Sequence, residues 1–348
     1  MKKILVVNTK VPFLSAGAES LETGLITALK DSRYQIDTLK ILEKWYPYEY
    51  CLKMMIQARS IDIENLPIPS DRLIALKFPS YYIRHPDKVV WFLHHYRMFY
   101  ELWDSPFAIN KNEETEAIRN LIIQADTKML KEAKKVFAIS KTVAERLKNF
   151  NGIDSEVLYP PVENLHLFRC ENYENFFFFP SRITRLKRQE LIVSAMSYVK
   201  SPFKLIIGGR VEDEEYLKQL QTMVEKGELQ KRVEIKTNLS RDDIVSLYAN
   251  CLAVVFPSFQ EDYGYVTLEA MYSKKAVLTC KDSGGPTEFV SNCENGFIVE
   301  PDPQAIAEAM EAMYNNKAET QKMGIRGYEK VVGIELSWKR VVQKLCHE

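Results

Sequence analysis

Short apolar runs alternate with amphipathic patterns along the first half of this 348-residue chain. The apolar runs predict β-strands over residues 4–7, 35–39, 73–77, 89–93 and 136–139. Helical periodicity predicts helices over residues 17–31 and 112–134. Because strands and helices alternate, this half is expected to form a parallel sheet in an α/β domain.

The second half repeats the same alternation. Its apolar runs predict strands near residue 176 and over residues 203–207, 233–235, 252–256, 276–279 and 296–299. Helices are predicted over residues 214–226, 241–248 and 304–315. The segment 158–164 contains two prolines and is the best candidate for a linker. The pattern therefore predicts two α/β domains, residues 1–163 and 164–335.

Composition narrows the class of protein. Hydrophobic residues make up 46% of the chain and charged residues 27%, which is typical of a soluble globular protein. The 47 basic and 47 acidic side chains cancel, which argues against a nucleic-acid partner. Six scattered cysteines without Cys-x-x-Cys spacing favour reduced thiols and a cytoplasmic location. No apolar run reaches about 18 residues, so any membrane contact is expected to be peripheral.

Two glutamates eight positions apart, Glu261 and Glu269, provide the first candidate chemistry. Glu261 follows the strand predicted at 252–256, and Glu269 lies on a helix predicted over 266–272, with Gly264 permitting the turn between them. Ligands of open α/β sheets bind at this strand edge, and a helix start attracts anions. A sugar-nucleotide site is one interpretation. An ordinary strand–loop–helix unit that happens to carry two glutamates is the other.

Two cations, Arg182 and Lys187, lie just after the end of the strand predicted near residue 176, as Glu261 lies after the strand at 252–256. Arginine offers a planar fork of donors and lysine a compact charge, so together they can stabilise the charge that builds on a leaving diphosphate. The alternative is that Lys187 belongs with Arg185 and Arg188 to an ordinary solvated helix face.

Several motifs in order resemble family four of the retaining glycosyltransferases, also called glycosyl transferases group 1. They are the segments 7–18, 93–95, 138–147 and 181–187, the Glu261 and Glu269 pair, and the segment 283–290. The resemblance implies the GT-B fold, in which two Rossmann-like domains face each other across an interdomain cleft. It also implies that the donor binds the second domain, and that a last helix, residues 336–348, packs back on the acceptor-side first domain with Trp338 as its anchor.

In the donor domain, the resemblance implies roles for individual residues. Glu269 would bind the ribose hydroxyls, and Glu261 would lie beside the donor sugar. Arg182 and Lys187 would stabilise the leaving diphosphate. The loop between the two glutamates would supply backbone donors to the donor substrate; its residues are Asp262, Tyr263, Gly264 and Tyr265.

In the first domain, Gly17 and Ala18 resemble a glycine-rich loop that usually reads Gly-Gly. Alanine at position 18 makes a very close backbone approach there less expected. His94 is the candidate for contact with the donor sugar's hydroxyls, and His95 and Arg97 are further candidates for contact with donor or acceptor. Neighbouring side chains on a strand face opposite ways, so at most one histidine should contact the sugar.

Two aromatic clusters, residues 45–50 and 96–103, could hold an acceptor or could simply pack in the core. No histidine has convincing spacing to a third metal ligand, and no Asp-x-Asp pair occurs. We therefore expect no metal and no cofactor beyond a nucleoside-diphosphate sugar as co-substrate.

The function implied by the resemblance is retaining transfer of a sugar from a nucleoside-diphosphate sugar to a hydroxyl of a glycan or lipid-linked acceptor. Assembly of a bacterial surface polysaccharide or glycolipid, at the inner face of the membrane, is the expected context. The alternatives are a sugar-nucleotide epimerase of the same fold, a glycan phosphorylase, and a non-catalytic sugar-nucleotide sensor. The Glu-Asp-Tyr-Gly form of the loop, which begins at Glu261, resembles that of mannosyl-type members of the family, while the base of the donor stays open.

Overall fold

A computed structural model describes residues 1–13, 17–44 and 46–347. The chain divides into two compact units. The first comprises Met1–Glu163 together with Leu336–Glu348, and the second comprises Asn164–Glu335. Each unit has its own parallel sheet and its own core.

The first unit contains a six-stranded parallel sheet with the order β2-β1-β3-β4-β5-β6. Its elements before the linker are β1 (Lys3–Lys10), α1 (Gly17–Asp31), β2 (Gln35–Leu42), α2 (Tyr50–Ser60), β3 (Arg72–Ala75), β4 (Lys88–Phe92), α3 (Glu113–Lys131), β5 (Lys135–Ala138), α4 (Lys141–Asn151) and β6 (Glu156–Val157). Strands β3 and β4 are buried along their whole length. Burial on both faces explains why these strands read as continuous apolar runs instead of alternating patterns.

The second unit contains another six-stranded parallel sheet, with the order β12-β11-β10-β7-β8-β9. Its elements are β7 (Phe176–Pro180), α5 (Gln189–Ala195), β8 (Lys204–Gly208), α6 (Glu214–Lys226), β9 (Val233–Lys236), α7 (Arg241–Asn250), β10 (Ala253–Val255), α8 (Tyr265–Tyr272), β11 (Ala276–Cys280), α9 (Pro286–Phe289), β12 (Gly296–Val299), α10 (Pro303–Asn315) and α11 (Lys317–Gly333). The prediction of an α/β fold with two sheets is confirmed.

The last helix, α12 (Trp338–His347), lies in the first unit and packs on α1. The Trp338 ring fills the space above Gly24, where a Cβ atom would lie 2.2 Å from the indole. The same ring meets Trp91 edge-on at 6.2 Å. Arg72 adds a hydrogen bond of 2.8 Å to the carbonyl oxygen of Leu345. An aromatic anchor and a charge-assisted bond therefore hold the end of the chain on this unit.

Two long helices were missing from the elements predicted from sequence. Helix α2 follows the aromatic cluster, and α11 contains Gly324 and Gly327, which weaken a helical signal. Both glycines of α11 lie where α8 and the turn after it approach closely. A Cβ atom on Gly324 would lie 2.0 Å from the carbonyl oxygen of Lys274, and one on Gly327 would lie 3.1 Å from the Met271 side chain. Tertiary packing thus overrides the local propensity.

Candidate functional site

The loop after β10 is joined to the loop after β11 by backbone hydrogen bonds. The Glu261 N–H donates to the carbonyl oxygen of Ser283 at 2.8 Å, and the Gly285 N–H donates to the carbonyl oxygen of Glu261 at 2.8 Å. Gly284 has a φ of +71°, and a Cβ atom there would lie 2.5 Å from the carbonyl oxygen of Glu261. Only glycine satisfies both demands, so the Gly284–Gly285 pair fixes the backbone of Glu261 at the strand edge.

Helix α8 begins at this loop without a side-chain cap. Its N-cap residue is Gly264, with a φ of +83°, and glycine has no side chain that could cap the first turn. The Tyr263 ring is 3% exposed and meets Phe289 edge-on at 5.6 Å, so this side chain belongs to the core. Backbone N–H groups at an uncapped helix start attract anions. Phosphate binding by the backbone of residues 262–265 stays a prediction from the sequence.

Lys187 lies against Glu261. Its Nζ is 2.5 Å from Oε2 of Glu261 and 5.1 Å from the centre of the Phe256 ring. Lys187 is 7% exposed and the neighbouring Arg188 is 8% exposed, whereas Arg185 is exposed. The alternative of a solvated face shared by these three residues is therefore wrong, because two of them are buried at the ends of the strands.

Arg182 has a different partner. Its guanidinium contacts both carboxylate oxygens of Glu212, at 2.8 and 2.9 Å, and Arg210 contacts the same carboxylate at 2.9 Å. Burial raises the pKa of Glu212, but the charges and hydrogen bonds of the two arginines outweigh burial and lower it. The side chain of Arg182 is 45% exposed. The structure thus pairs Arg182 with the loop after β8 instead of with Glu261.

Glu269 lies on the first turns of α8 and is held by two donors. The Tyr248 hydroxyl donates to Oε2 at 2.8 Å, and Arg241 lies 3.3 Å from Oε1. Burial raises the pKa of the Glu269 carboxyl, although both partners oppose it. Of the four residues selected from the sequence, Lys187 and Glu261 are in contact, while the other two have partners of their own.

In the first unit, the two histidines after β4 occupy different environments. His94 is half-buried, and its Nδ1 lies 2.7 Å from the carbonyl oxygen of His95. That contact needs a proton on Nδ1, which leaves Nε2 of a neutral ring as an acceptor. His95 is 1% exposed, stacks on Tyr100 at 4.0 Å and contacts Oδ1 of Asn151 at 2.8 Å. The structure argues against ligand contact by His95, because Tyr100 and the surrounding core leave this residue only 1% exposed.

The remaining candidates of the first unit have simpler surroundings. Arg97 contacts Glu101 through Nε at 2.6 Å, and Arg146 contacts the same oxygen at 3.3 Å. Gly17 and Ala18 begin α1; Gly17 is exposed and Ala18 half-buried. Residues 14–16 of the motif segment 7–18 lie outside the described residues.

The second aromatic cluster packs in the core. The Tyr96, Phe99 and Trp103 rings are buried, and Phe99 stacks on the other two at 5.7 and 6.0 Å. Core packing is thus the correct alternative for residues 96–103. In the first cluster, Trp45 lies outside the described residues, and Tyr46 is 71% exposed.

An ion pair that was not predicted from the sequence joins the residues that follow β2 and β3 in the first sheet. Lys77, after β3, lies 2.7 Å from Glu43, after β2, and the Thr9 hydroxyl of β1 donates to Glu43 at 2.8 Å. Burial raises the pKa of Glu43, yet Lys77, Thr9 and the nearby His94 together lower it. The signal in the sequence was a charged residue directly after each apolar run. Within residues 1–13, 17–44 and 46–347, no group of three or more His, Cys, Asp or Glu residues could hold a metal.

Comparison with known proteins finds a family match in the second half of the chain. Residues 169–330 match the family model described as glycosyl transferases group 1. Over 210 residues the chain is 27% identical to alpha-1,3/1,6-mannosyltransferase ALG2 of Homo sapiens, covering 54% of this chain and 50% of that protein. Over 153 residues it is 28% identical to the O-antigen chain mannosyltransferase RfbU of Salmonella typhimurium, covering 43% of this chain and 42% of that protein.

The fold is similar to that of sucrose-phosphate synthase from Thermosynechococcus elongatus, with a TM-score of 0.82 at 16% identity, over 100% of this chain and 98% of that chain. The match over residues 169–330 confirms the resemblance to glycosyl transferases group 1 for that part of the chain, and the GT-B fold class is confirmed. The chain spans about half the length of the curated relatives it matches. No helix in the described part of the chain is long and apolar enough to cross a membrane.

Proposed function

We propose that this protein is a glycosyltransferase that moves a sugar from a nucleoside-diphosphate sugar to an acceptor hydroxyl, with retention at the anomeric carbon and without a metal. The observation that carries the proposal is the contact of Lys187 with Glu261 at the strand edge that also carries the uncapped start of α8. A cation, a carboxylate and backbone N–H groups at one edge suit a substrate that has a diphosphate and a polyol.

The chemistry proposed for this edge is mainly electrostatic. As the bond between the sugar and the diphosphate breaks, negative charge grows on the diphosphate. The Lys187 ammonium and the first N–H groups of α8 stabilise that charge more strongly in the transition state than in the ground state. In this proposal the diphosphate competes with Glu261 for Lys187, so the carboxylate becomes available to a sugar hydroxyl.

The other candidates take supporting roles in the proposal. Glu269 accepts hydrogen bonds from the ribose diol, with Tyr248 and Arg241 fixing its orientation. Arg182 is exposed enough to exchange Glu212 for the diphosphate. The Nε2 atom of His94 is proposed to contact a hydroxyl of the donor sugar. Gly17 and Ala18 are proposed to meet the donor at the start of α1.

Substrate identity is proposed from the relatives. The matched proteins from Homo sapiens and Salmonella typhimurium are named mannosyltransferases, and the second of them is named for the O-antigen chain. We therefore propose a mannosyl donor and a glycan or lipid-linked acceptor, in assembly of a surface polysaccharide or glycolipid. The proposed location is the cytoplasm, with peripheral contact at the inner face of the membrane.

The test is a thermal-shift panel of UDP-, GDP- and ADP-sugars, since a ligand that binds only the native state raises the melting temperature. The stabilising donor is then incubated, in radiolabelled form, with candidate acceptors. Transfer, with an anomeric proton that keeps the donor's configuration by NMR, supports a retaining enzyme. Unchanged rates in a chelator support metal independence, and loss of activity would contradict it.

The same assay separates the alternatives. Inversion at a ring carbon without transfer would support an epimerase, and binding without turnover across all acceptors would support a sensor. A phosphorylase would release sugar phosphate when supplied with glycan and inorganic phosphate. Absence of any melting shift across the panel would overturn the proposed function.

A further inference from the structure

Arg188 has an unusual backbone for an arginine. Its φ is +57° and its ψ is 43°, which places it in the left-handed region that disfavours residues with a Cβ atom. It lies between the 3₁₀ turn that ends at Lys187 and helix α5. Glycine would adopt this conformation without strain, so interactions of the arginine side chain must offset the cost of the strained backbone.

The side chain of Arg188 joins three loops. Its Nε donates to the carbonyl oxygen of Pro257 at 2.6 Å. Its two terminal nitrogens contact the two carboxylate oxygens of Asp282, at 2.7 and 2.8 Å. The guanidinium also lies 5.4 Å from the centre of the Phe259 ring. A bidentate pair and a carbonyl bond use all sides of the planar group, so its orientation is fixed.

The three loops are the ones that follow β7, β10 and β11, which are neighbours in the sheet. The first carries Lys187, the second carries Glu261, and the third carries Gly284, which lies against the backbone of Glu261. The side chain of Arg188 is 10% exposed and that of Asp282 is 29% exposed. Because a buried ion pair often adds little net stability, its presence here favours a role in setting geometry.

We propose that Arg188 and Asp282 are positioning residues that hold the Lys187 ammonium against the Glu261 carboxylate. In this proposal the pair acts through the spacing of the three loops and not through contact with the donor or the reacting atoms. Misplacement of a reacting group by about 1 Å can cost on the order of 10²-fold in rate. The effect on catalysis rests on the proposed function, whereas the effect on Lys187 does not.

The first test measures the accessibility of Lys187 without any substrate. Wild-type protein and Arg188→Gly are treated with an N-hydroxysuccinimide acetate, and the acetylation rate of each lysine is followed by mass spectrometry. We expect acetylation of Lys187 to become at least tenfold faster in Arg188→Gly. Lys275, which is fully buried in the same unit, reports global unfolding and should stay unlabelled.

The matched control is Glu228→Gly. Glu228 also has a positive φ, of 53°, but it is exposed and lies between α6 and β9, away from the three loops. This variant relieves the same kind of backbone strain, so it should leave the acetylation of Lys187 unchanged.

The second test uses kinetics with the donor selected by the panel. In Arg188→Gly we expect kcat to fall about 10- to 100-fold, with a smaller change in the donor KM, because the transition state loses the aligned cation. Arg188→Lys keeps the charge but cannot form the bidentate pair, so its kcat should be intermediate. Adding Asp282→Asn to Arg188→Gly should lower kcat by much less than Asp282→Asn does in the wild type, because both residues act as one unit.

The outcomes separate the two proposals. If no sugar nucleotide binds the wild type, the proposed function fails, and the acetylation of Lys187 still decides the role of Arg188. If Lys275 becomes labelled in Arg188→Gly, that variant has unfolded. The acetylation rate of Lys187 is then compared between Arg188→Lys and the wild type. Acetylation of Lys187 at the wild-type rate in a folded variant would overturn the role proposed for Arg188.

Discussion

The Lys187 ammonium and the Glu261 carboxylate lie 2.5 Å apart although 74 residues separate them in the chain. Strand β7 brings the first to the sheet edge and β10 brings the second, and these strands are neighbours in a parallel sheet. Neighbouring parallel strands end at the same edge, so residues that follow them can meet. Much of the chemistry proposed here depends on this one contact.

Replacement of Lys187 by methionine should remove the cation and keep most of the side-chain volume. We expect the kcat/KM for transfer to fall about 10²- to 10³-fold, comparable to the loss of one preorganised donor to a developing anion. The measurement is the initial rate with radiolabelled donor. Arg185→Met, two residues away on the exposed side of the same turn, is the matched control and should stay within about twofold of the wild type. A Lys187→Met enzyme with the wild-type rate would exclude this role.

The sequence predicted the strands and the edge at which the candidates lie, because a doubly buried strand leaves a continuous apolar run. The sequence could not predict which ion-pair partner each charged candidate side chain would have. Arg182 is paired with Glu212, thirty positions away, and that choice depends on how the loops after β7 and β8 are folded. His95 shows the same limit, because only the packed structure reveals that Tyr100 covers its ring.

Gly324 tests the packing that concealed helix α11 from the sequence. A methyl group there would meet the backbone of Lys274, which cannot move as a flexible side chain could. We expect Gly324→Ala to lower the free energy of unfolding by about 1–3 kcal/mol, measured by urea denaturation. Gly333→Ala is the control, since a Cβ atom there meets nothing within 4 Å. Equal stability of the two variants would contradict the close approach.

Glu269 should contribute to donor binding through its charge. Glu269→Gln keeps the shape of the side chain but weakens its hydrogen bonds to a diol, so we expect the donor Kd to rise about tenfold, measured by calorimetry. Tyr248→Phe removes a donor that orients the carboxylate and should give a smaller increase. Donor affinity equal to the wild type in Glu269→Gln would exclude contact between this residue and the ribose.

Asp126 should make the stability of the protein depend on pH. This carboxyl is fully buried on α3 and accepts hydrogen bonds from Tyr82 at 2.6 Å and Tyr100 at 2.5 Å. Burial raises its pKa from 3.8 to about 6, although the tyrosine hydroxyls oppose the shift. The native state therefore binds this proton more tightly than the unfolded state, and unfolding releases it between the two pKa values. Stability must then fall as pH rises through this window.

The size of this effect follows from the shift. A pKa raised from 3.8 to about 6 corresponds to a loss of roughly 3 kcal/mol in the free energy of unfolding. This loss is absent below pH 3.8 and complete above pH 6. Asp126→Asn cannot ionise, so the unfolding free energy of the wild type minus that of Asp126→Asn should fall by this amount between about pH 4 and pH 7. Urea denaturation at intervals of half a pH unit measures that difference. Asp154→Asn, at an exposed side chain of the same unit, is the control. A flat difference for Asp126→Asn across this range would show that burial does not hold a proton on Asp126.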